Sequence, residues 1–81
     1  MKNIAVIGSG LIGRAWSIVF VKAKFKVYLY DLDPVALTKA YEDIKSSLND
    51  LKTHKLISEE PSVLLSRITL AKSIEHAVSN A

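Results

Sequence analysis

Gly8, Gly10 and Gly13 follow the apolar run Ile4–Ile7 in the order G-x-G-x-x-G, and Asp31 closes a second apolar run about 20 residues further on. Glycines at a strand-to-helix junction, with one acid at that distance, are suited to gripping a dinucleotide. Gly8 allows the tight turn out of the strand, Gly10 has no Cβ to hold a diphosphate off the backbone, and Gly13 lets the new helix lie close to the strand. The phosphates would meet the unpaired N–H groups of the helix's first turn, where the helix dipole adds roughly 0.3–1 kcal/mol of attraction for an anion. Arg14 either places a positive charge beside those phosphates or is a solvated surface residue, and its position suits both.

Asp31 selects the dinucleotide. A carboxylate at the tip of the second strand accepts hydrogen bonds from the adenosine ribose hydroxyls and repels a 2′-phosphate, which favours NAD over NADP. Leu32 follows it, rather than an arginine that would pair with a phosphate. Asp33 is the better helix cap, because Pro34 stands at the first helical position, and this frees Asp31 for the ribose.

The remaining polar residues carry no recognisable catalysis. His54 and His76, the two histidines, lack a carboxylate partner at a convincing spacing and read as surface residues. None of the serines, Ser9, Ser17, Ser46, Ser47 and Ser58 among them, sits in a G-x-S-x-G elbow. There is no cysteine, which removes disulfides, a thiol nucleophile and thiolate metal sites. No metal site is expected, and no general acid or base is found.

The glycines need a strand before them and a helix after them, and the patterning supplies both. Residues 2–7 predict a parallel strand buried on both faces. A helix over 11–23 places Ile12, Ala15, Trp16, Val19, Phe20 and Ala23 on one stripe facing the sheet, with Trp16 as core. A second strand over 26–31 follows a very short turn, giving a right-handed βαβ unit. The second helix starts at Asp33-Pro34 and runs to about His54, roughly 30 Å at 1.5 Å per residue. Its seam is Leu37, Ala40, Tyr41, Ile44, Leu48 and Leu51. Ser58-Glu59-Glu60-Pro61 predicts a helix start with acids in its first turn, and Val63, Leu64 and Leu65 should pack back on the long helix. A third strand over 68–71 and a short helix capped by Ser73 complete the chain. The fold class is therefore α/β: the first three strands of a doubly wound parallel sheet, a partial Rossmann domain, with a helical hairpin inserted between strands 2 and 3.

Composition narrows the setting. In 81 residues, 49% hydrophobic and 23% charged is an ordinary globular balance, enough for one small domain. No apolar run approaches a membrane span and no secretory leader is visible, so a cytoplasmic location is expected. The net charge of +3 is local, since residues 1–30 hold five bases and no acid while the rest hold six bases against eight acids. Lys22, Lys24 and Lys26 fall at the strand end opposite a ligand crevice, and no basic recognition helix accompanies them, so no nucleic-acid partner is expected.

Taken together, I-A-V-I-G-S-G-L-I-G-R-A-W-S-I-V-F at 4–20 and V-Y-L-Y-D-L-D-P at 27–34 resemble the NAD-binding start of the 3-hydroxyacyl-CoA dehydrogenase family. G-L-I-G-R-A-W at 10–16 is most similar to its branch with lambda-crystallin, L-gulonate 3-dehydrogenase and 3-hydroxybutyryl-CoA dehydrogenase-like proteins. The likeness extends through I-T-L-A-K-S-I-E-H-A-V at 68–78. It implies an N-terminal part of an NAD-binding Rossmann domain over 1–81. Hydride would pass between NAD and a 3-hydroxy group of a small-molecule substrate, and an all-helical domain would make homo-oligomers. By position, Gly8, Gly10, Leu11, Ile12 and Gly13 would surround the diphosphate and Asp31 would hold the ribose. The family's catalytic histidine–glutamate pair, with its serine and asparagine, lies past Ala81, so this chain alone is expected to bind adenine nucleotide weakly and turn nothing over.

The resemblance also implies that the hairpin approaches CoA, making Lys52 and Lys55 either phosphate contacts or a solvated helix end. One departure is visible: Lys24 stands where the family has glycine, at a cost of up to about 1–2 kcal/mol if left-handed geometry is kept. A crystallin-like, non-catalytic protein is the alternative function. A free-standing nucleotide sensor is a third, and it would leave Ile4–Ile7 as an open sheet edge that recruits another chain or aggregates.

Overall fold

The computed structural model describes residues 2–81. Its elements are β1 (Asn3–Ile7), α1 (Leu11–Lys22), β2 (Lys26–Tyr30), α2 (Pro34–Thr53), α3 (Pro61–Leu65), β3 (Ile68–Leu70) and α4 (Ile74–Ser79). The three strands form one parallel sheet in which β2 is central, flanked by β1 and β3. The expected α/β architecture is present, with α2 and α3 forming the hairpin before β3.

The core lies on one face of the sheet. Val27 and Leu29 of β2 point into it and meet Val21 of α1, Leu64 of α3 and the α2 seam. Within that seam Leu37, Ala40, Ile44 and Leu48 are buried, while Tyr41 and Leu51 are partly buried at its margin. The opposite parity of β2 faces α4, where the Tyr28 ring lies edge-on to His76. The surface position expected for His76 is therefore corrected: it is half-buried, and its Nδ1 accepts from the Lys72 N–H at 3.0 Å. His54 is exposed, as expected.

α1 departs from its expected orientation. Ile12, Trp16 and Val19 are exposed, Trp16 by 54%, Ala15 and Ala23 are exposed too, and of the expected stripe Phe20 alone packs against the core. The inward row is instead half-buried Gly13 with the buried Ser17 and Val21, at i, i+4 and i+8. Close packing at Gly13 sets this rotation, and Ser17 tolerates full burial because its hydroxyl donates to Gly13 O at 2.8 Å. Trp16 stacks on Phe20, at a centroid separation of 5.5 Å, instead of entering the core.

That rotation is compatible with β1 being an edge strand. Lys26 N donates to Lys2 O and Gly8 N donates to Tyr30 O, so even-numbered residues of β1 bond β2, and the main-chain groups of Asn3, Ala5 and Ile7 face outward. β1 is half-buried where full burial was expected, although α1 and α4 both pack against it, and its outer edge is open.

Both long helices end alike. Phe25 N donates to Phe20 O and Lys24 N to Val21 O; Leu56 N donates to Leu51 O and Lys55 N to Lys52 O. These are Schellman closures, whose turning residue adopts left-handed geometry. Lys24 (φ 69°) and Lys55 (φ 59°) occupy that position, where glycine carries no Cβ penalty. We expect Lys24→Gly and Lys55→Gly each to stabilise the fold by about 1 kcal/mol, read as a higher urea midpoint at unchanged slope. An unchanged or lower midpoint would contradict the strain.

α3 begins differently from expectation. Its N-cap is Glu60 and no acid lies in its first turn. Glu59 instead forms a two-pronged pair with Arg67, which also donates to Val21 O at 2.8 Å and so ties the hairpin to the end of α1. Arg67 holds the Glu59 carboxyl below its ordinary value. Leu64 is buried and Leu65 partly so, but Val63 is exposed, correcting its expected place in the hairpin core.

Candidate cofactor site

The glycine turn is built from three different requirements. Gly8 turns at φ 99°, a conformation that side chains strain, and its N–H donates to Tyr30 O at 2.7 Å, fastening the turn to the end of β2. Gly13 abuts that turn: a Cβ there would lie 2.0 Å from Gly8 O. Gly10, the N-cap of α1, has an ordinary φ of −66°, and a Cβ there would meet no atom within 4 Å.

The helix start is unsatisfied in the way an anion site requires. Its first internal bond runs from Arg14 N to Gly10 O, which leaves the amides of Leu11, Ile12 and Gly13 without partners inside the helix. No carboxylate lies in the first turn to neutralise them. Arg14 pairs with Asp43 of α2, so it is a half-buried strut between α1 and α2 and not a solvated surface residue, and it lines the same cleft as Gly10.

Asp31 lies just past β2, beside the turn. Its Oδ1 accepts from Asp33 N at 2.9 Å, and its Oδ2 accepts from Ser9 N at 2.8 Å and Ser9 Oγ at 2.7 Å. These donors, the Asp33 amide first, then the Ser9 amide and hydroxyl, hold its carboxyl below the usual aspartate range. Asp33 caps α2 through Val35 N, as expected, yet Asp31 is not thereby free of protein partners. Ser9 is the residue that sequence reading passed over. The signal was its place between two glycines, where only the side chain distinguishes it from a spacer.

Ser9, Gly10 and Asp31 share a cleft of about 270 Å³ with Arg14, Ala36, Lys39, Ala40 and Asp43. The hairpin lysines are elsewhere: Lys52 Nζ donates to Ser58 O at 3.0 Å and lies 3.4 Å from Glu60, and Lys55 closes α2. Among the described residues no cluster of three metal-ligating side chains occurs, and no helix is long and apolar enough to cross a membrane.

A parallel sheet in the order β3-β2-β1, with a glycine turn feeding a helix start and a carboxylate at the tip of the neighbouring strand, defines a dinucleotide-binding domain of Rossmann type. Residues 3–81 match the family model described as 3-hydroxyacyl-CoA dehydrogenase, NAD binding domain, and the chain belongs to that family. NAD is accordingly the cofactor of the domain. Among relatives, lambda-crystallin of Oryctolagus cuniculus is 35% identical over 94% of this chain and 26% of its own length. A probable 3-hydroxyacyl-CoA dehydrogenase of Caenorhabditis elegans is 30% identical over 100% of this chain and 29% of its own. The crystal structure of 3-hydroxybutyryl-CoA dehydrogenase from Escherichia coli superposes with a TM-score of 0.83 at 32% identity, over 91% of this chain and 16% of that one. The chain thus spans about a quarter of the length of the curated relatives it matches.

Proposed function

We propose that this chain holds the adenosine diphosphate half of NAD within a dehydrogenase that moves hydride between NAD and the 3-hydroxy group of a 3-hydroxyacyl-CoA or similar 3-hydroxy acid. In this reading Gly8 shapes the turn, the main chain at Gly10, Leu11, Ile12 and Gly13 receives the diphosphate, and Asp31 receives the adenosine ribose. NAD supplies the hydride acceptor; the chain's own residues bind and orient it.

Gly10 carries the reading. Gly8 and Gly13 are explained by the fold itself, through a positive φ and a 2.0 Å contact, but no protein atom crowds Gly10 and its φ suits any residue. A ligand seated against the main chain supplies the missing reason. Gly10→Ala is therefore expected to change fold stability by less than about 1 kcal/mol, the scale of a cap substitution, while weakening NAD roughly tenfold or more. Calorimetric titration of both chains with NAD checks this, and equal affinities would sink it. Absorbance of the reduced cofactor, followed with NAD and a 3-hydroxyacyl-CoA, should show no turnover by the 81 residues.

The similarity to lambda-crystallin favours a second reading, a non-catalytic protein retaining the nucleotide fold. Turnover of a 3-hydroxyacyl-CoA with NAD by the whole protein separates the two.

A further inference from the structure

We propose that Ser9 is a positioning residue for the cofactor, whose hydroxyl sets the orientation in which the Asp31 carboxylate meets the ribose. The inference rests on the reading of Asp31 as the ribose acceptor. An ionised carboxylate offers about four acceptor sites, and three are filled: two on Oδ2 by Ser9 and one on Oδ1 by the Asp33 amide. The unfilled site is on Oδ1. A carboxylate gripped at both oxygens has no freedom to turn about its own axis, so a ribose hydroxyl meets it already aimed. Ser9 is only 4% exposed, which keeps its hydroxyl from exchanging this bond for water.

The amide of residue 9 would reach Oδ2 whatever the side chain, whereas the second bond needs a hydroxyl. That amide is taken up by Asp31, which leaves the diphosphate to the main chain from Gly10 onward. The same bond links cofactor turn and ribose acceptor into one unit, since Gly8 N holds Tyr30 O one residue before Asp31. The other charged groups around Asp31 are Asp33 on its own turn, Arg14 of α1, and Lys39 and Asp43 of α2. Arg14 and Asp43 pair with each other, so neither takes over the restraint that Ser9 provides.

The test is NAD titration of the parent chain, Ser9→Ala, Ser9→Thr and Asp31→Ala across the acid range, with carbon-13 NMR of the Asp31 carboxyl in cofactor-free protein. Ser9→Ala should weaken NAD roughly tenfold at neutral pH, the scale of one hydrogen bond to a charged group. It should also move upward both the Asp31 titration and the pH at which affinity is lost. Ser9→Thr, which keeps the hydroxyl, should restore both; a merely structural serine would alter the unfolding midpoint and leave the pH dependence in place. If Asp31→Ala weakens NAD but Ser9→Ala binds as the parent does with the same acid limb, Ser9 has no positioning role. If the parent chain fails to bind, or Asp31→Ala leaves binding intact, the ribose reading itself fails and the inference falls with it.

Discussion

Replacing Gly13 with alanine is expected to destabilise the domain by about 3 kcal/mol or more and to remove NAD binding with it. The added Cβ would sit 2.0 Å from the carbonyl oxygen of Gly8, and because that neighbour is main chain in a turn fastened to β2, no side-chain rotation relieves the clash. α1 must lift or the turn must break. Lifting α1 withdraws Ser17 and Val21, both fully buried, from the face of the sheet. Breaking the turn scatters the amides at the helix start. Urea unfolding is the measurement, with Gly10→Ala as the control that adds the same methyl three residues away in open space. A near-parental midpoint for Gly13→Ala would mean that helix and turn are not in the contact described.

Asp31→Ala is expected to weaken NAD roughly tenfold to a hundredfold and to reduce the discrimination against a 2′-phosphate. Two effects combine: the ribose loses an ionised acceptor, and the Ser9 and Asp33 donors lose the group that ordered them. Affinity for NAD and NADP, measured side by side, reads both. The pH dependence has a definite sign. Asp31 is held below its ordinary value, so the stability it contributes is fully present above the unfolded-state value and lost as pH falls through the lower folded value. The stability deficit of Asp31→Ala should therefore be present at neutral pH and vanish in strong acid, where both carboxyl and variant are uncharged. A deficit that persisted in acid would assign the effect to packing instead of the carboxylate.

These expectations draw unequally on local and long-range information. The order of elements was legible because each is specified by its own residues: a run of β-branched and apolar residues for β1, an Asp-Pro start for α2, a serine cap for α4. The α2 seam was legible for the same reason, since its 3.6-residue period has a single apolar face. α1 misled because two faces compete. Its bulkiest apolar residues lie on one stripe, but the row through Gly13 and Ser17 is the one that can approach the main chain closely, and proximity decided which face turned inward.

At the cofactor site the division is similar. The linear chain alone determined that a strand, three glycines, a helix and an acid arrive in the order a dinucleotide needs, because those are short-range properties of a 31-residue stretch. Which glycine the fold crowds and which stands in open space, that Arg14 pairs with Asp43, and that Ser9 grips Asp31 across 22 residues were decided only by the folded chain. The physical reason is distance: hydrogen bonds and close contacts act over about 3–4 Å. Residues remote along the chain come within that range only when α1 and the sheet have packed.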